Sequence, residues 1–214
     1  MTPQDASERL IALARKAPVI PVLVVEDPET AADLAAALVA GGLYTLEVTL
    51  RTSAAIDVIR RMADVPGAVV GAGTVLTPAD AEAAQAAGAH FAVSPGSTPH
   101  LLDACEDIGL PMLPGAATAT EALRLWERGY SFQKFFPAEA AGGRPLLRAL
   151  AAPLPQITFC PTGGIGPDNA QDYLSLPNTV CVGGSWVAPT DRIAAKDWAG
   201  ISALARAAAG LTVG

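Results

Sequence analysis

The stretch YTLEVTLRTSAAIDVIRRMADVPGAVVGAGTV, residues 44–75, changes its period twice. In YTLEVTL, residues two apart share a face, so Thr45, Glu47 and Thr49 lie on one side and Leu46, Val48 and Leu50 on the other. TSAAIDVIRRMA then spaces its apolar residues for one face of a helix, behind residues that favour helix starts. GAVVGAGTV returns to a short β-branched run. Strand, helix and strand within about 30 residues form the repeating unit of a parallel sheet with crossover helices.

The unit recurs in both directions. VIPVLVV begins at residue 19, HFAVSPG at 90, LPMLPGA at 110, YSFQKFFPA at 130, QITFCPTGG at 156 and VCVGGSW at 180, giving eight strand-like runs in all. Their centres are roughly 20–25 residues apart, room for a strand and a returning helix. Segments such as ETAADLAAALVAGG, TPADAEAAQAAGA and TATEALRLWERG fill the gaps, several opening on Ser, Thr or Asp and closing on Gly. Eight βα units without a break in composition predict an α/β fold, a single-domain (β/α)8 TIM barrel over residues 1–214. An extra N-terminal helix over about residues 3–16 is placed to close its floor. A doubly wound open sheet is the alternative. GAGTV at 71–75 is not a dinucleotide loop, because Leu76 stands where the third glycine of that fingerprint is required.

A net charge of −7 argues against nucleic acid or an anionic membrane surface as the main partner, so an anionic ligand must be held locally. The N-terminus lacks the pattern of a signal peptide and no apolar run is long enough to cross a bilayer, which predicts a cytoplasmic protein. Cys105, Cys160 and Cys181 are odd in number and set in apolar context, as expected of reduced structural thiols.

Two charged residues stand out against this background. Glu47 lies on the polar side of its strand and is expected to face the barrel interior, where an isolated carboxylate is costly without a cation. Arg51, just beyond the strand end, shares its parity and can reach over the mouth. Lys134 sits inside the aromatic run FQKFF, unlike Lys16 and Lys196 in their polar, helix-like contexts. Alternation groups it with Phe132 and Phe136, but parity alone leaves open which face is inward. A Lys134–Glu47 pair is compatible with a structural ion pair, and equally with a shielded amine beside a proton-moving carboxylate, as Schiff-base chemistry on a carbonyl requires.

The C-terminal ends of barrel strands form the catalytic face, and the loops after the last two commonly hold phosphate. Here they read PTGGIGPDN and GGSW. The backbone N–H groups of Gly163, Gly164 and Gly184, the Ser185 hydroxyl and the helix start after Pro189 are expected to cradle an anion without a basic side chain. Thr74 and Pro95 would line the same mouth. No metal site is expected: His90 and His100 have no partner at metal-ligand spacing. No G-x-S-x-G elbow is present either.

Together, LEVTLRT, VGAGTVL, SPG, FQKFFPAEAAGG, FCPTGGI and GGSW resemble the class I 2-keto-3-deoxy-6-phosphogluconate (KDPG) aldolases, the family that includes the 4-hydroxy-2-oxoglutarate (KHG) aldolases. The resemblance runs from about Pro18 to Val187. It implies a Schiff-base lysine at Lys134, a proton-shuttling glutamate at Glu47, and carboxylate contacts from Arg51 and Thr74. It further implies a pyruvyl pocket including Pro95 and Phe136, and phosphate contacts at Gly163, Gly164, Gly184 and Ser185. A cytosolic homotrimer of the Entner–Doudoroff pathway is implied too, acting on a small phosphorylated ketoacid with no metal or organic cofactor. Alternatives are action on the 6-phosphogalactonate epimer, an isomerase or metal-dependent lyase on the same fold, and a non-catalytic phosphosugar-binding barrel.

Overall fold

The computed structural model describes residues 1–214. Its strands are β1 (Val19–Leu23), β2 (Thr45–Thr49), β3 (Val69–Gly73), β4 (Ala92–Val93), β5 (Met112–Leu113), β6 (Gly115–Ala116), β7 (Phe132–Phe135), β8 (Thr158–Pro161) and β9 (Val182–Gly184). The helices are α1 (Pro3–Ala14), α2 (Ala31–Ala40), α3 (Ala55–Ala63), α4 (Pro78–Ala86), α5 (Pro99–Ile108), α6 (Ala119–Arg128), α7 (Gly143–Ala151), α8 (Ala170–Leu174), α9 (Thr190–Ala194) and α10 (Trp198–Ala209). All strand pairing is parallel, in a six-stranded sheet ordered β5-β4-β3-β2-β1-β9 and a three-stranded sheet ordered β6-β7-β8.

Every expected strand run carries a strand, but the fifth carries two. LPMLPGA is divided at Pro114, which has no N–H to give to a ladder. β5 pairs back to β4, while β6 pairs forward to β7. Single parallel bridges, Phe159 to Thr179 and Thr162 to Gly183, run from the β8 segment to the chain around β9.

Helix ends follow the residues that favoured them. Thr2, Thr77 and Thr118 cap α1, α4 and α6, each in a reciprocal box with the acid three residues on: Asp5, Asp80 and Glu121. Those bonds hold the Asp5 and Glu121 carboxyls below the usual range; Thr2 is the main cause at Asp5, and the Ala117 amide at Glu121. Gly109 and Gly129 end α5 and α6 in the left-handed region, where a side chain would be strained.

The strands separate two apolar cores. Leu46 and Val48 of β2 face the helices, in a large cluster with Leu34 and Leu38 of α2 and Val58 and Ile59 of α3. Each such fully buried side chain contributes about 1.5–3 kcal/mol. A smaller cluster fills the inside of the curl: Leu10 and Ala14 of α1 pack there with Ile20, Phe91, Phe132, Val180 and Cys181. Phe132 points inward, so Lys134, two residues on, does also. Gln133 points the other way, where its side-chain amide donates to the carbonyls of Ala122 (3.0 Å) and Tyr130 (2.9 Å). The parity that the sequence left open is read from Phe132 in the inner cluster and from Gln133 among the outer carbonyls.

Cys105, Cys160 and Cys181 are free and buried. Burial, with Glu106 beside it, pushes the Cys105 thiol up to about 11. The neighbouring Cys160, then burial, raises Cys181 well above an ordinary thiol. Both shifts disfavour the reactive thiolate. No helix is long and apolar enough to cross a membrane.

Candidate active site

Glu47 and Lys134 come from strands on opposite sides of the curl, β2 and β7, and meet inside it. The Lys134 Nζ lies 3.2 Å from Glu47 Oε1, with side-chain exposures of 6% and 4%. The ammonium is also 5.3 Å from the centroid of the Phe136 ring, within range of a cation–π contact. A buried pair of this kind adds little net stability, because desolvation offsets most of the Coulomb attraction. Stability alone is therefore a poor reason for a chain with three lysines to place one here.

A cleft of about 540 Å³ opens at the C-terminal ends of the strands; neither Glu47 nor Lys134 lines it, and the pair adjoins it through Phe136, which does. Arg51, Phe136, Gly163, Gly164, Gly184 and Ser185 all line it. Arg51 is exposed and makes no ion pair, so its guanidinium is available at the rim. Gly163 and Gly164 have φ of 102° and 77°, a conformation open to glycine and strained for other residues. The N–H groups of Gly163, Gly164 and Ser185 donate to no acceptor in the chain. Asn169 holds this loop in place, accepting from the Gly166 amide (2.9 Å) and donating to the Gly164 carbonyl (3.0 Å). Gly184 is small for a different reason: a Cβ there would lie 1.7 Å from the Trp186 ring.

Thr74 and Pro95 do not line this cleft. Thr74 follows β3 half-buried, with φ of 58°, a costly conformation for a β-branched residue. Its amide and hydroxyl have no hydrogen-bond partner in the chain. Pro95 lines a separate hollow of about 650 Å³ between α5 and α6, with Leu102, Arg124 and Arg128. His90 and His100 are exposed, and no three His, Cys, Asp or Glu side chains converge.

Among the cleft residues not singled out from the sequence are Val22, Thr162 and Trp186. Alternation offered the signal for Thr162, since it continues the inward side of β8 two residues beyond Cys160. Nothing local marks Val22, an ordinary strand valine until the curl brings it to the mouth.

A protein-family model described as KDPG and KHG aldolase matches residues 10–204. The chain is 52% identical over 192 residues to the 2-dehydro-3-deoxy-phosphogluconate aldolase of Pseudoalteromonas atlantica, covering 89% of each chain. Its fold superposes with a TM-score of 0.92 on the KDPG aldolase of Zymomonas mobilis ZM4 crystallised with 3-phosphoglycerate, at 47% identity, covering 96% of this chain and 97% of that one. A KDPG aldolase from Legionella pneumophila, with pyruvate captured at low pH as a covalent carbinolamine intermediate, gives a TM-score of 0.91 at 46% identity, covering 94% and 98%. The motifs resembling that family therefore sit in a chain and a fold that match it almost throughout, and the protein belongs to the KDPG and KHG aldolase family.

Proposed function

We propose that this chain is a class I aldolase that cleaves 2-keto-3-deoxy-6-phosphogluconate to pyruvate and glyceraldehyde 3-phosphate, with 4-hydroxy-2-oxoglutarate as a second substrate. The observation that carries the reading is the buried amine of Lys134, 3.2 Å from Glu47 and 5.3 Å from the centroid of Phe136, a residue lining a cleft with unpaired amides.

The free amine of Lys134 attacks the C2 ketone to give a carbinolamine, and Glu47 supplies the proton with which hydroxide leaves as water. The resulting iminium draws the electron pair of the C3–C4 bond as Glu47, directly or through water, takes the C4 hydroxyl proton. Glyceraldehyde 3-phosphate departs, leaving an enamine. Protonation at C3 and addition of water then release pyruvate and the amine. Arg51 and Thr74 hold the carboxylate, a bidentate role suited to a guanidinium. Phe136 bounds the pyruvyl group; the family resemblance assigns Pro95 there too, although it lines the separate hollow between α5 and α6. The free amides of Gly163, Gly164 and Ser185, with the Ser185 hydroxyl and Gly184 beside them, receive the phosphate, which explains how an acidic protein binds an anionic substrate.

Incubation with pyruvate and borohydride tests this: reduction should fix the adduct on the Lys134 peptide, and absence of any adduct would leave a phosphosugar-binding protein. The chemistry uses no metal and no organic cofactor, so turnover should be unchanged after EDTA treatment and dialysis. Loss of activity restored by a divalent cation would point to a metal-dependent lyase.

We further infer that the two sheets are arcs of one closed (β/α)8 barrel, a single domain over residues 1–214 with α1 across its floor. The split fifth strand shared between β4 and β7, and the bridges from β8 to the β9 segment, support this closure. The family resemblance leads us to propose a homotrimer. The exposed side chains of Leu76, Leu123 and Trp126 offer apolar surface for it. Sedimentation at the mass of three chains is the expected result, and a monomer would remove that proposal. A cytoplasmic setting suits three unpaired cysteines.

A further inference from the structure

The inward positions of β3 alternate as Val69, Gly71 and Gly73, and the two glycines leave room for different things. A Cβ at Gly71 would lie 2.4 Å from the Phe91 ring. A Cβ at Gly73 would lie 2.2 Å from Glu47 Oε1, 2.6 Å from its Cγ and 2.8 Å from its Cδ. Every nearest neighbour of that absent atom belongs to one side chain. Gly73 does not have the positive φ that favours glycine, so the backbone does not explain the residue. Space does.

The displaced oxygen is the one that accepts from the Lys134 amine. β2 and β3 pair with Glu47 opposite Gly71 and Thr49 opposite Gly73, so the glutamate leans one step along the ladder toward the strand ends. That lean carries its carboxylate toward the cleft. Glu47 is nearly fully enclosed, so a displaced carboxylate meets close-packed neighbours.

We propose that Gly73 is a positioning residue for the aldol reaction, a seat without a side chain that sets the height of the Glu47 carboxylate against the Lys134 amine. The inference rests on the proposed role of Glu47 as proton carrier. It assigns Gly73 no contact with substrate: the residue acts only through Glu47.

Gly73→Ala should lower kcat by roughly 10²-fold, the scale expected for a group displaced by about 1 Å, while KM moves by no more than about threefold. Wild-type kcat in this variant would overturn the proposal. Gly71→Ala serves as the comparison on the same strand face: it crowds Phe91 and should lower Tm without that selective loss of kcat. An equal selective loss in Gly71→Ala would assign the effect to general crowding of the strand.

The decisive measurement is a cycle in the Glu47→Ala background, where all three crowded atoms are gone. There, Gly73→Ala should leave both Tm and the rate of borohydride-trapped pyruvate adduct unchanged. A further drop in either would show that Gly73 acts independently of Glu47 and overturn the seat. If Gly73→Ala fails to fold by itself, the double variant should recover the Tm of Glu47→Ala, and failure to recover it refutes the proposal. Absence of any adduct in the wild-type protein would be a failure of the aldolase reading instead.

Discussion

Replacing Lys134 by methionine is expected to abolish covalent capture of pyruvate and to lower turnover by on the order of 10⁶-fold, the scale seen when a covalent nucleophile is lost. Methionine keeps most of the stem, so the inward packing near Phe136 is largely retained and the change isolates the amine. The substitution also leaves the Glu47 carboxylate without its cation, and breaking a buried pair from one side costs about 3–5 kcal/mol. A lower Tm is therefore expected beside the lost chemistry. Combining Lys134→Met with Glu47→Gln removes the stranded charge and should restore most of the Tm while turnover stays absent. Trapping of an adduct on Lys16 or Lys196 in the Lys134→Met protein, with activity retained, would mean that the reactive amine had been misassigned.

Glu47→Gln alone should slow turnover by about 10²–10⁴-fold, the usual contribution of one positioned acid–base group. Glutamine fits the same seat and can still hydrogen-bond to Lys134, so the loss falls on proton transfer rather than on architecture. The adduct should form with pyruvate much more slowly, because borohydride traps the iminium and Glu47 supplies the proton for the dehydration that makes it. The kcat term should carry the loss, with KM little changed. Near-normal turnover would assign the proton carrier elsewhere, and a large rise in KM with kcat unchanged would give Glu47 a part in binding instead.

The strand runs were legible because each is a short β-branched segment between helical periods, and YTLEVTL announced its own faces. LPMLPGA shows the limit: its apolar run looks continuous, yet Pro114 cannot donate to a neighbour and the pairing changes sides there. Lys134 and Glu47 could be named because a charge in an apolar strand is rare. Their pairing could be named, but FQKFF alternates aromatics on both faces, so parity alone did not show that Lys134 faces inward with Phe132. Glycines were the least legible. Gly163 and Gly164 answer to backbone conformation, Gly184 to an indole and Gly73 to a carboxylate, and no single sequence separates these causes.

Because consecutive residues of each strand look into separate compartments, neighbours such as Gln133 and Lys134 stand under unrelated selective pressures. Robustness can be improved by altering the helix-facing set while turnover is left alone, and substrate choice can drift through the inward set without rebuilding the outer shell. A library confined to one parity should therefore sample one trait at a time.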